Sequence, residues 1–156
     1  MSPEIEGLGM LREIAVGSVM MLITILIAGI SLWIVETWLR RAHGWLTAEP
    51  HAPKMMVLLC VAALWILSIA TAGVWLWAFV FYGLGLFETL EECVYFALVS
   101  FTTLGYGDLV LPRGWRLLGG LAAANGFMTF GLLIAMLVEA MRHVRIGPVE
   151  VRKRKE

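Results

Sequence analysis

Three long stretches of this chain contain no charged residue: 14–35, 55–87 and 117–138. A charge at the centre of a membrane helix costs about 2.5–3.5 kcal/mol on insertion scales, so exclusion this complete points to lipid. A membrane span needs about 20 apolar residues. The first and third stretches are 22 residues each, or about 33 Å as helix. The second is 33 residues, longer than a bilayer requires, so it is expected to tilt or project. Charged residues make up only 15% of the chain against 60% apolar, which excludes an ordinary soluble domain.

Cysteine is scarce as well. Cys60 and Cys93 fall in different helices without CxxC spacing, so no disulfide is expected. His43, His51 and His143 are too scattered for a metal site and read as solvated loop side chains. Neither HExxH nor a phosphate-binding loop is present, and Gly105-x-Gly107 lacks the third glycine and the strand–helix setting of a nucleotide loop. Enzymatic chemistry and a bound cofactor are therefore not expected. The N-terminal segment lacks a basic leader, setting Glu4, Glu6 and Glu13 against Arg12. The first stretch accordingly reads as a retained span, not a cleaved signal peptide.

The charges sum to zero but are unevenly placed. Arg40, Arg41 and Lys54 follow the first apolar stretch; Arg142, Arg145, Arg152, Lys153, Arg154 and Lys155 follow the third. The positive-inside rule puts both regions in the cytoplasm and the N-terminus outside. The basic tail is read as a topology signal and a contact for anionic membrane lipids, not as a nucleic-acid site. The expectation is an all-α membrane protein with three transmembrane helices over about 13–39, 54–82 and 115–142. A loop at 40–54 is marked by Gly44, Pro50 and Pro53. Trp33 and Trp38 suit a membrane interface, while Trp75, Trp77 and Tyr82 suit either a second aromatic belt or packing against neighbouring helices. Gly83 and Gly85 are expected to end the second helix.

Between the second and third spans lies a shorter helix, over about 90–101. Thr89-Leu90-Glu91-Glu92 fits a capping box, in which the threonine accepts from the helix backbone and Glu92 reaches back. The glutamates also complement the positive end of the helix dipole. Such a helix is too short to cross a bilayer, so it must be re-entrant. Non-helical backbone at membrane depth is tolerated only inside protein or beside water. Thr102-Thr103-Leu104-Gly105-Tyr106-Gly107-Asp108 falls at that place. A dehydrated cation needs a cage of oxygens in place of its water. Successive backbone carbonyls form one if backbone handedness alternates, which places some residues at positive φ. A residue with a Cβ is disfavoured there by about 1–2 kcal/mol, glycine hardly at all. Gly105 and Gly107 are spaced to fill those positions, and Thr103 adds a hydroxyl oxygen at the inner mouth.

This heptapeptide resembles the selectivity filter of tetrameric potassium channels. The resemblance covers about 55–142 as outer helix, pore helix, filter loop and inner helix. An extra helix and linker over 1–54 precede it, and a short basic tail over 143–156 follows. It implies a homotetramer that passes potassium ions down their gradient, with K+ held at Thr103, Leu104, Gly105 and Tyr106 and with Gly107 completing the filter. Thr102, Asp108, Tyr95 and Val99 are implied as filter support. The family bonds an aromatic donor at the Tyr95 position to the aspartate after the filter, and Val99 falls behind the filter.

In the third span, Gly126-Phe127-Met128-Thr129-Phe130-Gly131-Leu132 is similar to the small two-helix bacterial channels. That match puts Gly126 at a hinge and Phe127, Phe130 and Ile134 on the cavity wall. Ile134, Val138 and Met141 share one face, so four converging inner helices form an apolar gate there. Gating at the filter, with Gly126 only packing, is the alternative. His143, near Glu139, Arg142 and Arg145, is either a pH sensor for that bundle or a solvated helix end. Asn125 is turned from the cavity, which favours a bond between helices over contact with permeating ions. Leu104 stands where the family commonly has valine or isoleucine, and 109–112 lengthens the outer segment by one residue. No Arg-rich repeated helix is present, which excludes a voltage sensor of the usual kind.

The alternative function is a non-conducting or modulatory membrane subunit that keeps the pore fold. A cation transporter subunit fits less well, because related transporters carry four non-identical pore segments on one chain. The absence of a targeting leader points to a bacterial inner membrane.

Overall fold

The computed structural model describes the backbone of residues 3–46 and 51–153, with side-chain surroundings for 7–38, 41 and 56–138. Helix α1 covers Pro3–Leu46, α2 His51–Gly83, α3 Leu90–Phe101 and α4 Arg116–Lys153, with a 3-10 turn at Arg113–Trp115 leading into α4. No strand occurs among the described residues. Gly7–Trp38, Met56–Gly83 and Arg113–Val138 are each long and apolar enough to cross a membrane. The all-helical, three-span architecture expected from the charge-free stretches is therefore present.

The helices run further than expected. Of the loop predicted at 40–54, residues 40–46 belong to α1 and 51–54 to α2, and 47–50 lie outside the described residues. Pro53 does not break α2 because it falls in the first turn, where a backbone N–H has no helical partner to lose. Helix α4 continues past 142 to Lys153, so most of the predicted tail is helical backbone. Residues 139–146 offer no glycine or proline to stop it. Met141, His143 and the basic side chains beyond 138 lie outside the described side chains, as do Arg40 and Lys54.

Helix α2 ends in a Schellman motif. Leu86 N–H donates to Phe81 O at 3.1 Å and Gly85 N–H to Tyr82 O at 3.0 Å. Gly85 makes the turn at φ 64°, while Gly83 is still helical. Helix α3 has the predicted bounds and cap. Thr89 Oγ1 accepts from Glu92 N–H at 3.2 Å, and a Glu92 carboxylate oxygen accepts from Thr89 N–H at 3.1 Å.

Helices α2, α3 and α4 enclose one core, centred on Trp77, Phe81, Cys93, Ala97, Phe101 and Leu118. Trp77 is fully buried whereas Trp75 and Tyr82 are exposed, so the outer aromatic set divides between packing and surface. Helix α1 packs chiefly along α4. Its buried residues Glu13, Gly17, Met20, Thr24, Ala28 and Ser31 recur every three or four positions and so occupy one face. The rest of α1 presents Leu, Ile, Val, Met and Trp outward.

Candidate functional site

The segment after α3 is built by the end of that helix. Thr102 caps it, its N–H donating to Leu98 O and Ser100 O. Thr103 N–H then donates to Ser100 O at 2.9 Å, Leu104 N–H to Val99 O at 3.0 Å and Gly105 N–H to Val99 O at 3.3 Å. Four successive N–H groups are thus turned back into the helix terminus. Among the described residues, no carbonyl oxygen of 102–107 accepts a hydrogen bond.

The backbone alternates as a line of oxygens requires. Thr103, Gly105 and Gly107 have φ of 59°, 57° and 79°. The two glycines stand at the positive values the sequence assigns them. Thr103 carries the alternation one step further inward. A β-branched residue is disfavoured in that region by about 1–2 kcal/mol, and here the bonds to Ser100 and Val99 hold the flanking peptides in place. Glycine announces positive φ in a sequence and threonine does not. Val99 is buried beside this segment, and its carbonyl accepts from Leu104 N–H and Gly105 N–H.

At the outer end, Tyr95 Oη donates to Asp108 Oδ2 at 2.5 Å, and Leu109 N–H donates to Asp108 Oδ1 at 3.0 Å. The Tyr95 bond holds the Asp108 carboxyl below the usual carboxylate range and, by the same proton, pushes the Tyr95 phenol up. A cavity of about 380 Å³ opens between α3 and this segment, lined by Tyr95, Val99, Ser100, Gly105, Asp108 and Arg116 among others.

Behind the inner end, Phe101 is clamped. A Cβ on Gly73 would stand 2.8 Å from its ring, and a Cβ on Gly126 would overlap its carbonyl group. The Phe130 ring meets the Phe101 ring edge-on at 5.9 Å. This separates Phe130 from the predicted cavity set: it is half-buried inside the subunit, whereas Phe127, Ile134 and Val138 are 72%, 61% and 60% exposed on one face of α4. The sequence predicts Gly126 as a hinge, yet α4 runs unbroken through it, and the close approach to Phe101 accounts for the missing side chain.

The sequence reading missed the seam between α1 and α4. Glu13 is buried, and its Oε2 accepts from Leu118 N–H at 3.2 Å, one of the donors left open in the first turn of α4. The Arg12 guanidinium lies 4.3 Å from the centre of the Trp115 ring. Thr24 Oγ1 lies 2.8 Å from Asn125 Oδ1, so Asn125 does bridge helices. Trp65 Nε1 donates to Ser31 Oγ at 2.7 Å, tying α1 to α2. The signal was present in the recurrence of Gly17, Thr24, Ala28 and Ser31 within an otherwise bulky apolar helix. No group of His, Cys, Asp or Glu that could hold a metal ion occurs among the described residues.

Against known proteins, residues 56–143 match the family model described as "Ion channel". The chain is 38% identical over 53 residues to potassium voltage-gated channel subfamily A member 2 of Oncorhynchus mykiss, covering 33% of this chain and 11% of that protein. It is 36% identical over 58 residues to potassium voltage-gated channel protein shk-1 of Caenorhabditis elegans, covering 36% of this chain and 11% of that protein. The matches thus span about a tenth of those relatives. No solved structure matches significantly.

Proposed function

Because this chain belongs to the ion channel family through residues 56–143, we propose that four copies form a potassium-selective pore in which residues 103–107 coordinate the passing ion. The observation that carries this reading is the backbone alternation at Thr103, Gly105 and Gly107, with the N–H groups of 102–105 spent on the end of α3. That arrangement leaves a run of carbonyl oxygens to replace the hydration shell of a cation. The C-terminal end of α3, where the helix dipole is negative, adds to the same field.

One strand encloses nothing, so the reading requires a closed ring of copies. Leu104 and Tyr106 are 55% and 69% exposed in a single chain, as are the apolar residues along α4 that would line the cavity below. The protein is integral to the membrane by its three apolar helices and its family. We place the N-terminus outside and the C-terminus in the cytoplasm, following the basic residues after the first and third spans. Conduction is passive, with membrane lipid and potassium ions as partners and no covalent step.

Purified protein in liposomes with opposed potassium and sodium gradients tests the reading. Reversal potentials are expected to follow the potassium gradient. Equal permeability to the two ions overturns selectivity, and a parent protein that passes neither ion supports the modulatory-subunit alternative.

A further inference from the structure

Helix α1 lies outside the matched residues 56–143, yet it is bonded to the pore unit at three levels. Glu13 takes the open Leu118 N–H at the head of α4, Thr24 meets Asn125 further along, and Ser31 receives the Trp65 indole N–H. The outer two sites, Glu13 and Ser31, lie 18 helical steps apart on one face, or about 27 Å. Between the first two, Gly17 brings α1 against Leu121 so closely that a Cβ would collide with that side chain.

The middle bond has a position the others lack. Thr24 and Asn125 are 4% and 0% exposed. Gly126, the next residue, presses on the Phe101 backbone, and Phe101 lies two residues before the segment proposed to carry ions. The Thr24 hydroxyl has one proton, and three oxygens stand within reach: Met20 O and Met21 O at 3.0 Å and Asn125 Oδ1 at 2.8 Å. If the proton goes to the helix backbone, as for threonine within membrane helices, the hydroxyl oxygen is left to accept. An Asn125 amide turned end for end then donates to it, which employs the Nδ2 group that otherwise has no partner. Either way, the pair is a polar contact sealed from water, and losing one member leaves the other unsatisfied.

We infer that Thr24 is a positioning residue for conduction: through Asn125 it fixes the register of α4 against the C-terminal end of α3, so that α1 controls the open-to-closed balance of the pore. This rests on the proposed pore function. The contribution of α1 is mechanical: a shift of α4 that moves Gly126 along Phe101 must break or re-form the contact with Thr24.

The test uses the full chain reconstituted in liposomes, with Thr24→Val, Thr24→Ser and Asn125→Leu singly, and Thr24→Val with Asn125→Leu together. Single-channel records are expected to show unchanged unitary conductance, with a ratio of open to closed time altered about fivefold in Thr24→Val and in Asn125→Leu. The double variant should match the singles instead of multiplying them, and Thr24→Ser should keep the parent ratio. A parent ratio in Thr24→Val, or multiplicative effects in the double variant, overturns the inference. A second readout is independent of conduction. Spin labels at position 138 report the spacing of α4 helices across the assembly, and Thr24→Val should shift that distance distribution while Thr24→Ser does not. A parent that conducts nothing refutes the pore reading, whereas unchanged label distances in Thr24→Val refute the role of Thr24.

Discussion

Gly126 lies directly against Phe101: a Cβ built on it would stand 2.6 Å from the Phe101 carbonyl carbon and 2.7 Å from its Cα. Both are backbone atoms, so the neighbour cannot rotate away. Gly126→Ala must therefore push α4 off the end of α3, and overpacking of this kind costs about 1–3 kcal/mol. The expected result is a lower thermal midpoint of the detergent-solubilised protein together with lost conduction. A hinge without packing duty predicts a parent midpoint with altered gating alone, so the two measurements separate the roles.

Gly105 presents the opposite case. A Cβ there meets nothing within 4 Å in its own chain, but φ is 57°. Gly105→Ala is thus resisted by backbone conformation, by about 1–2 kcal/mol in each copy. Four copies would apply that strain to one ring of oxygens. The prediction is a protein that folds and assembles but loses potassium selectivity or conducts nothing, checked by reversal potentials. Intact selectivity in Gly105→Ala would show that this alternation does not shape the ion path.

The Tyr95–Asp108 bond gives a mutational and a pH prediction. Tyr95→Phe removes the donor to Asp108 and is expected to destabilise the conducting filter and speed any inactivation, read from current decay. Asp108 titrates below its ordinary value because its carboxylate accepts the Tyr95 hydrogen bond. Stability from a depressed carboxyl is complete above the unfolded pKa, about 3.9, and is lost as pH falls through the lower folded value. Conduction should therefore be indifferent to external pH between about 5 and 8 and fail only below about 4. Failure already at pH 6 would point to a different group.

The gate is expected where α4 shows its apolar exposed face. Cysteines at 134 and 138, probed from the cytoplasmic side, should become unreactive when the pore is shut, because a ring of apolar side chains at this level excludes water. Free reactivity in the closed state moves the gate to the filter. If internal acid opens the bundle through His143, His143→Gln should abolish that response.

Orientation is checked separately. Thiol labelling of single cysteines at 7 and 47 in sealed cells should find position 7 reachable from outside and position 47 only from inside. Labelling of both from one side would mean that the first helix does not span.

Much of this was legible in the sequence. Charge exclusion located the spans because lipid tolerates so little charge, and Thr89 with Glu92 fixed the start of α3 through a local pattern. Gly105 and Gly107 marked positive φ because glycine alone takes it freely. The unread parts depended on what lay opposite in space. Thr103 adopts positive φ because the peptides around it are bonded back to Ser100 and Val99, which its side chain does not announce. Phe130 turned inward because Phe101 was there to meet it. Glu13 looked like a flanking charge until the first turn of α4 came to rest beside it.

The bond from Glu13 to Leu118 joins positions 105 residues apart. During synthesis the first span enters the bilayer long before its partner exists, so for most of translation its small-residue face and its carboxylate have nothing to lie against. Only when the last span arrives does that surface close. Release of the nascent chain from the insertion machinery, and its protection from membrane proteases, should therefore change at the point where residues beyond 118 emerge. Chains arrested before that point leave an acidic side chain and a seam of unused polar groups for quality control to find.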